Sequence, residues 1–241
     1  MKNVKILNVF FTATDLKTLI NHLKNEKIAY KYICVSNVHT TVMANRDSRY
    51  LTVQNSSYMN LTDGKPLQLL AKISEKKCER ITGPEVMEAL IKATEHTEKT
   101  HFFYGSTEDT LQKLIENLKH KYPDLKVAGC FSPPFKNLTT VEKNMHVEMI
   151  NNLNPTYVWV GLGAPKQEQW MFENHNKINS LLVGVGAAFD YHAGKLKRAP
   201  IWMQNLSLEW LFRLLQEPKR LWKRYVIYNT IFLYYLVFSK R

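Results

Sequence analysis

Val158-Trp159-Val160-Gly161-Leu162-Gly163-Ala164-Pro165-Lys166-Gln167-Glu168-Gln169-Trp170 is the stretch that decides the fold. An apolar, β-rich run from Tyr157 to Val160 enters a turn with two glycines, and a helix-forming run from Lys166 to Lys177 follows, with Pro165 suited to a first helical position. This reads as strand, turn, helix. Such a turn leaves backbone N–H groups and the positive end of a helix dipole facing one point, which suits a phosphate. Gly161 and Gly163 let a ligand approach the backbone, while Lys166, Gln167 and Glu168 open the helix within side-chain reach of the turn. The same arrangement also serves only to join a strand to its covering helix, so alone it assigns no ligand.

Working outward, the unit recurs. Strands are expected at residues 5–10, 30–35, 101–104, 125–130 and 180–185, with a short one at Met59-Asn60-Leu61-Thr62. Helices are expected at 15–26, 40–54, 67–73, 84–97, 109–122 and 140–153. Alternating strands and helices imply an α/β fold, a Rossmann-like and mostly parallel sheet flanked by helices. Ligands in such sheets bind at the carboxyl ends of the strands. Asn37 follows one strand end, and Asp63-Gly64 follows another; Asp63 is a candidate catalytic group or, equally ordinary, the N-cap of the next helix. Gly105 and the Gly184-Val185-Gly186 turn, with Asp190 just beyond, mark two further strand ends. Neither Gly-x-Gly turn completes the dinucleotide-binding pattern G-x-G-x-x-G, which sets an oxidoreductase aside.

The chain has 241 residues, 45% of them hydrophobic, enough to bury a full core. Three scattered cysteines, with no C-x-x-C or H-E-x-x-H pattern, indicate neither a disulfide framework nor a zinc site. Met1 to Phe11 lacks the apolar core of a secretion signal, so a cytoplasmic body is expected. From Lys195 onward there are ten Lys or Arg residues against two acids, which places +8 of the net +12 in the last fifth of the chain. Two helical stretches lie there, 201–216 and 218–238. The apolar run Val226 to Phe238 is too short to span a bilayer, and its basic and aromatic flanks suit an interface, with Ile231, Phe232 and Leu236 read as lipid-facing. The alternative is a helix packed on its own domain or on a partner subunit in a homo-oligomer. Nucleic acid is disfavoured as a partner, because the basic residues are interleaved with apolar ones that phosphate contacts would waste. The division expected is a core of residues 1–200 and a helical membrane-binding appendage of 201–241.

Together, Thr62-Asp63-Gly64, Gly161 to Glu168, Gly184 to Asp190, Lys197-Arg198-Ala199-Pro200, Glu209 to Leu214 and Glu217 to Trp222 resemble the bacterial WecG/TagA/CpsF glycosyltransferase family over nearly the whole chain. The resemblance implies a hexosyltransferase of surface polysaccharide or teichoic acid synthesis, working peripherally at the inner face of the cell membrane. It would move a sugar (N-acetylmannosamine, its uronic acid or glucose) from a UDP-sugar to a lipid-diphosphate-linked saccharide. In that family the Asp of this turn, here Asp63, is the proposed base, and the Asn at the early strand end, here Asn37, lines the same pocket. Tail arginines are thought to hold the diphosphate, which makes Arg213, Arg220 and Arg224 the candidates. Their spacing of seven and four puts them on one helix face unless Pro218 breaks that helix. The remaining substrate-binding candidates are the turn residues already named. Many members carry Thr where this chain has Val35, with Ser36 and Thr40 the nearest stand-in hydroxyls. Neither the family nor this chain has the Asp-x-Asp metal motif, so no metal or other cofactor is expected, and a single displacement would invert the anomeric centre. The competing reading is a non-catalytic protein of the membrane surface with a vestigial nucleotide-sugar pocket.

Overall fold

In parallel α/β sheets the central strands are buried on both faces and so read as unbroken apolar runs. Four central stretches of this kind and two more mixed edge strands form one six-stranded sheet. They are β3 (Lys31–Ser36), β4 (Met59–Thr62), β5 (His101–Gly105), β6 (Val127–Phe131), β7 (Tyr157–Gly161) and β8 (Leu181–Gly184). Their order is β4-β3-β8-β7-β5-β6, with β4 and β6 at the edges, and every neighbouring pair is parallel. All six carboxyl ends therefore share one edge. The computed structural model describes residues 1–75, 77–136, 138–200, 202–203 and 208–238.

The expected strand at 5–10 is instead a hairpin, β1 (Lys2–Ile6) and β2 (Val9–Ala13), paired antiparallel apart from the main sheet. Val4, Ile6, Val9 and Phe11 all point inward, and the chain reverses at Leu7 with φ 54°. The expected helix at 40–54 is two, α2 (Val38–Arg46) and α3 (Ser48–Asn55). Asp47 divides them: its backbone is extended, and its carboxylate accepts from the N–H groups of Arg49 and Tyr50 at 2.9 and 3.2 Å, so it caps the second helix. The other covering helices follow the expected pattern: α1 (Leu16–Asn25), α4 (Lys65–Ser74), α5 (Gly83–Thr94), α6 (Glu108–Lys121), α7 (Thr140–Leu153) and α8 (Lys166–Asn174); a short α9 (Ala188–His192) was not expected and follows the Gly184-Val185-Gly186 turn.

The tail supplies α10 (Glu209–Gln216) and α11 (Pro218–Phe238). Pro218 does break the helix, and Glu217 between them leaves helical geometry (φ −132°, ψ 58°). The chain folds back there, and Trp210 meets Tyr225 with ring centroids 5.7 Å apart. Helix α11 leans on α2. Its Phe232, 3% exposed, enters the apolar cluster that the hairpin shares with α2, α3 and α4, while Ile231, Tyr228 and Tyr235 pack around it. Two of the three side chains expected to face lipid thus face protein. Because α2 already occupies that side, the outward apolar row is Val226, Leu233, Tyr234 and Val237, with Trp222 at its start. Among the described residues no helix is long and apolar enough to cross a membrane.

Candidate functional site

The carboxyl ends of β3 and β4 open into a cavity of about 480 Å³ roofed by α10 and α11. Asn37, Asp63, Gly64, Arg213 and Arg224 all line it. The spacing argument for the arginines fails at Pro218, but the fold-back of α11 brings two of them to one place. Arg220 lies in the first turn of α11, and its side chain is outside the described residues.

Asn37 is the N-cap of α2: its Oδ1 accepts from the Thr40 N–H at 3.3 Å, and its own N–H donates to Thr40 Oγ1 at 2.9 Å. That leaves the amide Nδ2 as a donor at the cavity wall. Asp63, by contrast, caps nothing. The N-cap of α4 is Gly64, at φ 106°, a conformation that residues with a Cβ rarely adopt, and no side chain caps the helix. Only the Asp63 backbone is tied down, its N–H donating to Ser36 O at 2.7 Å. The carboxylate is thereby free of the ordinary structural duty of an Asp before a helix. Burial pushes its pKa up to about 6; Arg80 and Arg213 pull it down, while Glu209 and Glu85 push it up.

Arg80 carried no signal in the sequence reading, and Glu209 entered it only within a family motif with no role given, yet together they join the two halves of the site. Arg80 donates from Nη1 to Glu209 Oε2 at 2.9 Å and from Nη2 to Glu85 Oε1 at 3.2 Å, and Arg198 Nη2 reaches the same Glu85 oxygen at 2.9 Å. This chain of alternating charges fastens α10 to the core beside Asp63. Arg213 lies over the Tyr191 ring, 5.6 Å from its centroid, and its Nε is buried without a partner among the described residues. His39 stands on the first turn of α2 against Tyr228, centroids 4.3 Å apart. Burial, with Arg224 adding to it, lowers its pKa to about 4, so it is neutral near pH 7.

The glycine turns share this edge of the sheet but not the cavity lining. Gln167 and Glu168, expected to reach a ligand from the first turn of α8, are turned inward. The Gln167 carbonyl already takes the Gly163 N–H at 3.2 Å, one of the donors a phosphate would need. Glu168 accepts from Gln167 Nε2 at 2.8 Å and from Tyr50 Oη at 3.2 Å; Tyr50 in turn accepts from Gln54, whose carbonyl takes Ser36 Oγ at 2.6 Å. This buried chain ties α8, α3 and β3 together, and burial raises the Glu168 pKa. Ser36 and Thr40, the hydroxyls that were to stand in for the threonine absent at Val35, are both spent, one in this chain and the other in the α2 cap. Val35 itself packs in the apolar cluster on one face of the sheet. Gly105 and Gly161 are accounted for by close packing: a Cβ on the first would meet Gly161 backbone at 2.7 Å, and one on the second would meet the Phe189 ring at 2.6 Å. Gly163 and Gly186 are both at positive φ; Gly163 has open space in front of it, a Cβ on Gly186 would touch the Gln167 side chain at 3.6 Å, and Lys166 is exposed at the start of α8. Asp190 is partly buried on α9, next to Tyr191 of the cavity wall.

Among the described residues one group of metal-type ligands converges, Glu95, His96 and Asp124. It lies where α5 ends and β6 is about to begin, at the opposite edge of the sheet.

Residues 4–241 match the family model described as "Glycosyl transferase WecG/TagA/CpsF family". A relative from Bacillus subtilis (strain 168) is 31% identical over 93% of this chain and 87% of its own length. One from Staphylococcus aureus (strain MW2) is 27% identical over 99% of this chain and 93% of its own. Both are named N-acetylglucosaminyldiphosphoundecaprenol N-acetyl-beta-D-mannosaminyltransferase. A match that spans the sheet, the Asp63 turn and both tail helices identifies the chain as a member of the WecG/TagA/CpsF family of glycosyltransferases.

Proposed function

We propose that this glycosyltransferase moves N-acetylmannosamine from a UDP-sugar to N-acetylglucosamine carried on a lipid diphosphate, at the inner face of the membrane. The observation that carries the reading is an uncapped carboxylate, Asp63, in a cavity whose other charged groups include Arg80, Arg213 and Arg224. Asp63 takes the proton of the acceptor hydroxyl as its oxygen attacks the anomeric carbon. The bond to the donor diphosphate breaks, and its electron pair leaves with UDP. Attack opposite the leaving group inverts the centre. The arginines offset the charge that grows on the diphosphate, a role that a fixed cation fills without reorganising. Asn37 Nδ2 is placed to hold the acceptor. The donor's nucleotide lies along the same sheet edge, toward Gly163, Gly186 and Asp190. Under this reading residues 1–200 are the catalytic core and residues 201–241 are the appendage that closes the cavity and meets the membrane.

The test is to incubate the protein with a panel of UDP-sugars and a prenyl-diphosphate N-acetylglucosamine, and to identify the product. Transfer of N-acetylmannosamine is expected. Transfer of another sugar corrects the donor, and no transfer from any of them rejects the reading.

The cavity carboxylate Glu209 is held by Arg80, and Asp63 lies in the field of Arg80 and Arg213, rather than the two standing as a bare ligand pair. Turnover should therefore be unchanged by EDTA. A loss restored by magnesium or manganese contradicts metal independence.

Membrane seating is assigned to the outward row of α11. Val226→Ser with Leu233→Ser should leave the melting temperature nearly unmoved but sharply reduce sedimentation with anionic liposomes. Phe232→Ser should instead destabilise the fold by about 3–5 kcal/mol. Equal liposome binding by the Val226/Leu233 variant, with its fold intact, would show that this row does not face lipid.

A further inference from the structure

Helix α4 is apolar on two sides. Leu67 and Ala71 are buried against the hairpin cluster, as its position requires. Pro66, Leu69 and Ile73 lie on the opposite side and are exposed, Leu69 to 55% and Ile73 to 82%. A helix covering one face of a sheet has no structural need for that second stripe. The three residues follow i, i+3, i+7 spacing and so form one row, about 10 Å long at 1.5 Å per residue. The row begins inside the site, because Pro66 and Leu69 are part of the cavity wall and Ile73 is not. Across the same opening stands Trp210, itself 43% exposed. Polarity thus changes in order along one path: the arginines and Asp63 within, an apolar opening, then an apolar row leading out.

We propose that this row is the exit track for the lipid chain of the acceptor, which seats the first prenyl units on Leu69 and Ile73 while the acceptor's sugar reaches Asp63. The inference rests on the lipid-diphosphate reading above. Its occupant is a single amphiphile rather than the bilayer at large, because the row is continuous with the cavity and the bilayer's own charged groups would have no reason to enter there. An exposed apolar stripe of this kind, joined to a polar pocket, is what an amphiphilic ligand requires and what water disfavours.

The experiment compares two acceptors, N-acetylglucosaminyl diphosphate esterified to methyl or to a tetraprenyl chain, with the unsubstituted protein and with Leu69→Gln/Ile73→Gln. Glutamine is a good helix former, so α4 is retained, and any partial loss of folded protein cancels in the ratio of kcat/KM for the two acceptors. The unsubstituted protein should prefer the tetraprenyl acceptor by about tenfold or more, the worth of a few buried methylenes, and the variant should lose most of that preference. An unchanged preference in the variant overturns the track. So does an unchanged preference accompanied by lost liposome sedimentation, which makes α4 a bilayer contact instead. If the unsubstituted protein transfers sugar to neither acceptor, the lipid-diphosphate reading itself fails, an outcome distinct from a variant that keeps its preference.

Discussion

Asp63→Asn is expected to lower turnover by about 10² to 10⁴, measured with a water-soluble acceptor so that membrane docking plays no part. The substitution keeps size and shape and removes only the basic oxygen. Since Gly64, and not Asp63, occupies the N-cap of α4, no capping interaction is lost with it. The stability change has a sign that separates catalysis from damage. A carboxyl whose folded-state pKa is raised, here to about 6 from 3.8, destabilises the fold increasingly as pH rises through that window, and the deficit persists above it. The Asn variant should therefore melt at the same or a higher temperature than the unsubstituted protein near neutral pH, the difference vanishing below about pH 4. An inactive variant that also melts earlier near neutral pH would point to a structural role for Asp63, and an active one would remove it from the mechanism.

Arg213→Ala is expected to cost about 10² or more in kcat/KM on the same soluble acceptor, the usual worth of one preorganised donor at developing charge. Its guanidinium lies over Tyr191, contributes to the field on Asp63, stands 4.0 Å from Glu217 Oε2, and keeps a buried Nε that no group among the described residues satisfies. Desolvated without a full set of partners, it is poised for an anionic ligand more than for holding the fold. The soluble acceptor makes the result decisive: a variant with full activity there, but with weakened liposome binding, would make Arg213 a lipid contact alone.

The sheet was legible because β5, β7 and β8 are buried on both faces and so read as continuous apolar runs. The hairpin was not, since its reversal at Leu7-Asn8 lacks the glycine that usually marks one, and its two halves merge into one apolar stretch. The division of α2 from α3 was written in Asp47, a helix cap that a smooth helical pattern conceals. Asp63 and Asn37 were found because strand ends in parallel sheets are where ligands bind, and Gly64 marks a turn there. Helical position fixed where Gln167 and Glu168 stand but not which way they point; their direction is set by Tyr50, 118 residues away from Glu168. Arg80 was invisible for the same reason, its partner Glu209 lying 129 residues along the chain. Contacts of that span belong to the fold, and no local pattern announces them.

The pH dependence of kcat/KM tests the role of Asp63 most directly, because it reports the base of the free enzyme. The account predicts a rate that climbs tenfold per pH unit on the acid side, levels off above about pH 6, and loses this limb in the residual activity of Asp63→Asn. A profile flat from about pH 5 to 8, or a limb that persists unchanged in the variant, contradicts it.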